Sequence, residues 1–260
     1  MSLRRWFFGN VVYRAAVVSR GEHGVFRHLE ELRYLSTRPR GEILDRQRER
    51  LAAALEHAWR GSPLYRERWP DRPPESGPAA WSYLAELPML EKVDLQARME
   101  GIRSDPPPVG RVSRKTTGGS TGQAVTVEKD GEAIAREMAA SWLAYGWFGV
   151  RIGDKAARFW GNPTSSRRKL RFMAADLAMN RIRFSAFAFD DDDLERYWAR
   201  CLRFRPDYFY GYVSMLVGFA HFLNRTGRDG GELGLKVVVT TSEVLSPEDE
   251  AVLRETFGCP

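Results

Sequence analysis

A chain of 260 residues, 43% of them hydrophobic, is long enough to bury a substantial core as one large domain or two small ones. Forty Lys and Arg against 34 Asp and Glu give a formal charge of +6, a balance that mildly favours anionic ligands. That charge is scattered in short clusters such as Arg4-Arg5 and Arg167-Arg168-Lys169, with acids or apolar residues nearby, which argues against a nucleic-acid partner.

Residues 4–18, RRWFFGNVVYRAAVV, join arginines to an apolar run. Asn10 and Arg14 interrupt it, so it falls short of the roughly 20 apolar residues of a spanning helix, and no small-residue cleavage site follows closely. The pattern predicts an amphipathic helix that either packs on the body or touches a membrane surface, with a cytoplasmic location as the default.

From Asp45 to Arg60 the positions Leu51, Leu55 and Ala58 follow helical spacing, and Gly61-Ser62-Pro63 stops the run. Residues 70–80 read as a Pro-rich loop, and Pro106-Pro107-Pro108 form a second turn. The expected division is a mostly helical region over 1–108 and an α/β region over 109–260.

In the second region β-like runs alternate with helical ones. VTVE at 125–128 precedes a helix with Ile134, Met138, Trp142 and Tyr145 on one face, followed by KAARFW at 155–160. A helical stretch near 168–179, RIRFSAF at 181–187 and a helix carrying Leu194, Trp198 and Leu202 come next. DYFYGY at 207–212, a helix through Phe219 and Leu223, and LKVVVTTS at 235–242 complete the series. Such alternation predicts an α/β layered domain with a largely parallel sheet.

The Asp190 to Asp193 run sits where a helix begins and reads as N-terminal charge complementing the helix dipole. The last helix opens at Ser246-Pro247, with Asp249 placed for a capping interaction, and ends at Gly258. A buried strand normally follows such a helix, so Cys259-Pro260 suggest an incomplete subdomain. Cys201 and Cys259 lie far apart without a CxxC pair, and His23, His28, His57 and His221 are scattered, so neither a disulfide framework nor a protein-ligated metal site is expected.

The chemically richest stretch is Thr116-Thr117-Gly118-Gly119-Ser120-Thr121-Gly122-Gln123. Its glycines permit backbone N–H groups to converge on an anion, and its hydroxyls add donors, as phosphate binding requires. No lysine follows Gly122, so it is neither a P-loop nor a GxGxxG turn. By composition alone a flexible turn fits equally well.

TTGGSTGQ resembles the phosphate-binding loop of the adenylate-forming superfamily, Ser/Thr-Ser/Gly-Gly-Ser/Thr-Thr-Gly-x-Pro. The surrounding segments resemble its phenylacetate-CoA ligase and CapK branch. SPLYRERW at 62–69 is similar to that branch's Pro-x-Tyr-Arg helix, and LPMLEKVDL at 87–95 to its LP-x-x-x-K-x-D-L segment. FRPDYFYGYVSML at 204–216 is similar to its Pro-Asp strand and Gly-Tyr-x-Ser turn. VVVTTSEVLSPEDEAVLRETFGCP is similar to its strand, Ser-Glu turn and helix ending in Phe-Gly. The resemblance covers residues 45–260.

It implies attack of a carboxylic acid on the α-phosphate of ATP, with Mg²⁺, and passage of the acyl group to CoA. It further implies that Thr117, Gly118, Gly119, Ser120, Thr121 and Gly122 embrace the β- and γ-phosphates. Gly211 and Tyr212 would floor the acyl and nucleotide pocket, and Ser242 with Glu243 would border the adenine. Tyr212 has an equal claim as a plain core aromatic, and Glu243 as a strand-end surface carboxylate.

Ala124 stands where the family has proline, which loosens the loop only modestly. The Tyr-Gly-x-Thr-Glu segment whose glutamate helps hold Mg²⁺, the ribose-binding aspartate and the C-terminal adenylation lysine are not among the 260 residues, so these residues alone are not expected to adenylate. Two other readings stay open: a non-catalytic nucleotide-binding or scaffold protein, and a CapK-like component of envelope polysaccharide synthesis. A homodimer is the default oligomer.

Overall fold

The structure, a computed structural model, describes residues 3–107, 112–116, 124–161, 173–187 and 189–260. The chain divides into two compact units, one of residues 20–140 and one of residues 1–19 with 141–260.

The first unit is mainly helical. It holds α3 (Val25–Ser36), α4 (Arg40–Gly61), α5 (Pro63–Arg68), α6 (Gly77–Glu86), α7 (Lys92–Ala97) and α8 (Met99–Ile102). The helix read from Asp45 to Arg60 is thus longer at its start, entered directly from Pro39. Ala52 and Leu55 of α4 bury against Ala80 of α6, where Trp69 and Tyr83 add an edge-on ring pair at 6.0 Å. An antiparallel hairpin, β1 (Ser113–Thr116) with β2 (Thr126–Lys129), follows, its last pair before the connection being Thr116 with Thr126. Residues of α9 (Gly131–Trp147) are shared between the two units.

The second unit is an α/β layer. Its leading segment is helical over α1 (Leu3–Phe7), a π-helical turn (Phe8–Val12) and α2 (Tyr13–Ser19). Gly9 lies so close to the chain at Ile152 that an added Cβ would stand 2.5 Å from its carbonyl oxygen. Gly153, at φ +96°, returns the contact: a Cβ there would sit 2.7 Å from the Gly9 nitrogen. Tyr13 and Val17 are buried, and the Trp142 indole N–H donates to the Tyr13 hydroxyl at 2.7 Å.

The sheet contains β3 (Ala156–Trp160), β4 (Arg181–Ser185), β5 (Tyr208–Tyr212) and β6 (Val237–Thr241), all parallel in the order β4-β3-β5-β6. The α/β class with a parallel sheet is therefore as the sequence predicts. Connecting segments are α10, described over residues 173–178, α11 (Asp191–Phe204), α12 (Val213–Arg225) and a 3₁₀ turn (Gly230–Leu233), with α13 (Pro247–Phe257) after β6.

Strand alternation gives the sheet two unlike faces. Ala157, Phe159, Phe184 and Phe209 point to one face and pack with Leu194 and Trp198 of α11, Leu216 and Phe219 of α12, and Leu253 and Phe257 of α13. Phe159 is the hub, with ring centroids 4.9 to 5.3 Å from Phe184, Phe209 and Phe219. On β4, Arg181 and Arg183 alternate with Ile182 and Phe184, which pack in that core, and so point to the other face. There Asp176 of α10 accepts hydrogen bonds from Arg181 and Arg183 of β4.

The helix ends follow their sequence signals. Asp190 accepts from the Asp193 N–H and caps α11, while Ser246 accepts from the Asp249 N–H and caps α13, which stops at Gly258 in the left-handed region. At the amino edge of the sheet, Asp207 joins β3 to β5 by accepting the Lys155 N–H at 2.8 Å. Arg5 is ion-paired there with Asp207 and with the buried Asp154.

Candidate functional site

In an open parallel sheet, ligands bind outside the carboxyl ends of the strands, where the chain reverses its direction of winding. Here the chain steps from β3 outward to β4 and then returns to the other side of β3 as β5 and β6, so the reversal lies between β3 and β5. The residues at that point are Trp160, Gly211 and Tyr212, with Ser242 and Glu243 leaving the adjacent end of β6.

Gly211 pairs in register with Phe159 and is pressed against it: an added Cβ would lie 2.5 Å from the Phe159 Cβ and 2.6 Å from its carbonyl oxygen. The absent side chain is a demand of packing at the strand junction. Tyr212, on the opposite face, is half-buried and stacks on Trp160 with centroids 4.4 Å apart and planes at 21°. It also packs at the margin of the aromatic core.

Ser242 is exposed and holds φ +69°, a left-handed conformation that a serine adopts at a cost. Glu243 is exposed as well, but its carboxylate is engaged. One oxygen accepts the Ser214 N–H at 2.7 Å and the other the Ser214 hydroxyl at 3.0 Å. Since the N-cap residue Tyr212 makes no side-chain cap, Glu243 supplies the anion for the start of α12 from 29 residues away.

Beneath this edge lies a group that the sequence reading did not single out. The Arg158 guanidinium sits over the Trp160 ring at 4.4 Å and over Tyr210 at 5.1 Å, and Trp160 stacks on Tyr210 at 5.7 Å. Burial, reinforced by Arg181, pushes the Arg158 pKa down to about 10, and its Nε has no hydrogen-bond partner among the described residues. The available signal was strand periodicity: Arg158 and Trp160 alternate in ARFW as Tyr208, Tyr210 and Tyr212 do in YFYGY.

Thr117, Gly118, Gly119, Ser120, Thr121 and Gly122 lie outside the described residues. The residues that flank them form the β1–β2 hairpin, closed by a 2.8 Å hydrogen bond between the Thr116 and Thr126 hydroxyls. Arg114, Val127 and Glu128 of the hairpin and the preceding Val112 line a cleft of about 900 Å³ together with Tyr65, Leu95, Met99 and Ile102. Two motif segments of the first region, 62–69 and 87–95, thus each contribute one residue, Tyr65 and Leu95, to the cleft beside the hairpin. Among the described residues no group of three or more His, Cys, Asp or Glu is arranged to hold a metal ion.

No family model matches the sequence, and no curated protein matches it. Solved structures do. An open conformation of 2-hydroxyisobutyryl-CoA ligase, in complex with 2-HIB-AMP and CoA, superposes with a TM-score of 0.60 at 20% identity, over 86% of this chain and 53% of that one. The same enzyme in its thioesterification state gives 0.57 at 20% identity, over 86% of this chain and 48% of the other. A postadenylation state with R3-HIB-AMP gives 0.56 at 18% identity, with the same 86% and 48% coverage. At such identities the likeness is one of fold, and this chain spans about half the length of the structures it matches.

Proposed function

We propose that the chain forms the nucleotide- and acyl-binding part of a ligase that activates a carboxylic acid with ATP and transfers the acyl group to CoA. The observation that carries this reading is the carboxyl edge of the sheet at its winding reversal, bearing Gly211, Tyr212, Ser242 and Glu243 in a fold shared with CoA ligases. The phosphate-loop pattern of residues 117–122 supports it independently.

In this reading a carboxylate oxygen of the substrate attacks the α-phosphorus of ATP, the bond to the bridging oxygen breaks, and pyrophosphate leaves. The thiolate of CoA then attacks the acyl carbon and AMP departs. The N–H groups and hydroxyls of Thr117, Gly118, Gly119, Ser120, Thr121 and Gly122 hold the β- and γ-phosphates and offset charge on the leaving pyrophosphate. Tyr212, stacked on Trp160, offers a flat wall to the nucleotide or acyl group, and the exposed Ser242 and Glu243 border the base. Glu243 is committed to Ser214 and the described residues offer no metal cluster, so no step is assigned to Mg²⁺. The phenylacetate-CoA ligase and CapK segments favour an aryl acid as substrate.

The test is calorimetric titration of the 260-residue chain with ATP and with a non-hydrolysable mimic of an aryl-acyl adenylate, repeated with Gly119→Val and Tyr212→Ala. Both ligands are expected to bind the parent chain, with Gly119→Val losing ATP and Tyr212→Ala weakening the adenylate mimic. Absence of binding by either ligand overturns the proposal. Binding of ATP without the adenylate mimic replaces it with a non-catalytic nucleotide-binding role.

A further inference from the structure

The leading helical segment of the second unit is anchored by one face and bare on the other. Gly9, Tyr13 and Val17 are buried at four-residue intervals. In a straight α-helix that spacing drifts by about 40° per step, and the wider π-helical turn at Phe8–Val12 takes up the drift. The segment is therefore seated and cannot roll to hide its other side. That side carries Leu3 (83% exposed), Trp6 (46%), Phe7 (48%), Val11 (43%) and Val18 (62%). The loop whose Ile152 carbonyl abuts Gly9 follows two more exposed aromatics, Trp147 (71%) and Phe148 (45%).

We propose that this face is a peripheral docking surface for an anionic lipid bilayer. Leucine, tryptophan and phenylalanine on a fixed helix are the side chains that enter the boundary between headgroups and acyl chains. Charge selects the lipid. Residues 1–21 contain Arg4, Arg5, Arg14 and Arg20 and no Asp or Glu; Arg5 is ion-paired with Asp154 and Asp207 and Arg20 with Glu22, so the charge beside the apolar face is that of Arg14 and of the abutting loop. Arg14 is exposed between Val11 and Val18, and Arg151 is exposed in the abutting loop.

A second copy of this chain fits the face less well, because it would bring the exposed Arg14 and Arg151 of both copies together. No helix among the described residues is long and apolar enough to cross a membrane. This proposal is independent of the nucleotide site.

The experiment is co-sedimentation of the full chain with phosphatidylcholine vesicles, with and without phosphatidylglycerol, at low and high salt. Binding is expected on the anionic vesicles, weakened by salt. It should fall roughly tenfold or more in Phe7→Ser/Val11→Ser, whose near-ultraviolet circular dichroism stays that of the parent because both side chains are exposed. Arg14→Gln/Arg151→Gln should reduce the preference for anionic over neutral vesicles.

Absence of vesicle binding, equal binding to neutral vesicles, or unchanged binding by the serine variant each overturns the proposal. Light scattering on the same samples separates the competing occupant: a parent dimer that the serine variant dissolves assigns the face to self-association instead.

Discussion

Both oxygens of the Glu243 carboxylate are bound by a single residue, Ser214, through its N–H at 2.7 Å and its hydroxyl at 3.0 Å. Glu243 therefore fixes the turn after β6 to the start of α12. Glu243→Ala is expected to cost about 1 kcal/mol, the usual worth of a helix cap, and Glu243→Gln less, because an amide oxygen still accepts. Urea unfolding of the two variants beside Ser214→Ala checks this. A non-additive double variant would confirm that they share one interaction.

Gly211→Ala tests the strand junction. The new methyl would meet both the Cβ and the backbone carbonyl of Phe159, and the carbonyl cannot move without breaking the β3–β5 pairing. A loss of roughly 3 kcal/mol, at the upper end for overpacking, is expected in chemical denaturation. A neutral effect would show that β3 and β5 are less closely apposed.

Arg158 makes the opposite case, a charge whose removal is tolerated. Arg158→Met is expected to leave stability unchanged or raise it by about 1 kcal/mol, because a buried charge with an unpartnered Nε is replaced by an apolar side chain of similar length. Arg158→Lys should be the worse change, since an ammonium cannot lie flat against Trp160 and Tyr210. The folded form holds the Arg158 proton less tightly than the unfolded chain, so the parent gains stability as pH rises through about 10. Its deficit against the methionine variant should accordingly shrink above that pH.

Two tyrosines respond to alkali in the reverse sense. Burial pushes the Tyr145 hydroxyl up to about 12 and raises that of Tyr208 as well. A raised acid contributes stability that is complete below its unfolded pKa, near 10, and is lost as pH rises through the folded value. Absorbance of phenolate is expected to show these two of the nine tyrosines silent until the fold opens. Tyr145→Phe should reduce the steepness of alkaline unfolding.

What could be read from the sequence was whatever depends on local periodicity. The strands at Ala156–Trp160, Arg181–Ser185, Tyr208–Tyr212 and Val237–Thr241 fall within predicted runs, because aromatic and β-branched residues cluster there between helical spacings. The cap at Ser246 was equally legible, since an N-cap is a relation over three residues, whereas the Asp190 run read only as charge at a helix start and the structure adds the cap.

Ser113–Thr116 was not recognised as a strand, as SRKT pairs in a mainly polar hairpin with no apolar alternation to betray it. The roles of Gly211 and Glu243 were hidden for a different reason. Each is defined by a partner brought close only by the fold, Phe159 across the sheet and Ser214 across two elements. Arg158 lay in between, visible to strand periodicity but given its meaning by rings on β5.

The crossing of Gly9 and Gly153 places main chain directly on main chain, 144 positions apart in sequence, with no side chain between them. An ordinary core contact can be mutated and then repaired, because shrinking one side chain makes room for enlarging its neighbour. Here neither partner has anything to shrink. A saturation library should find both positions intolerant of every replacement, and a suppressor screen begun from a defect at one should return only true revertants rather than compensating changes at the other.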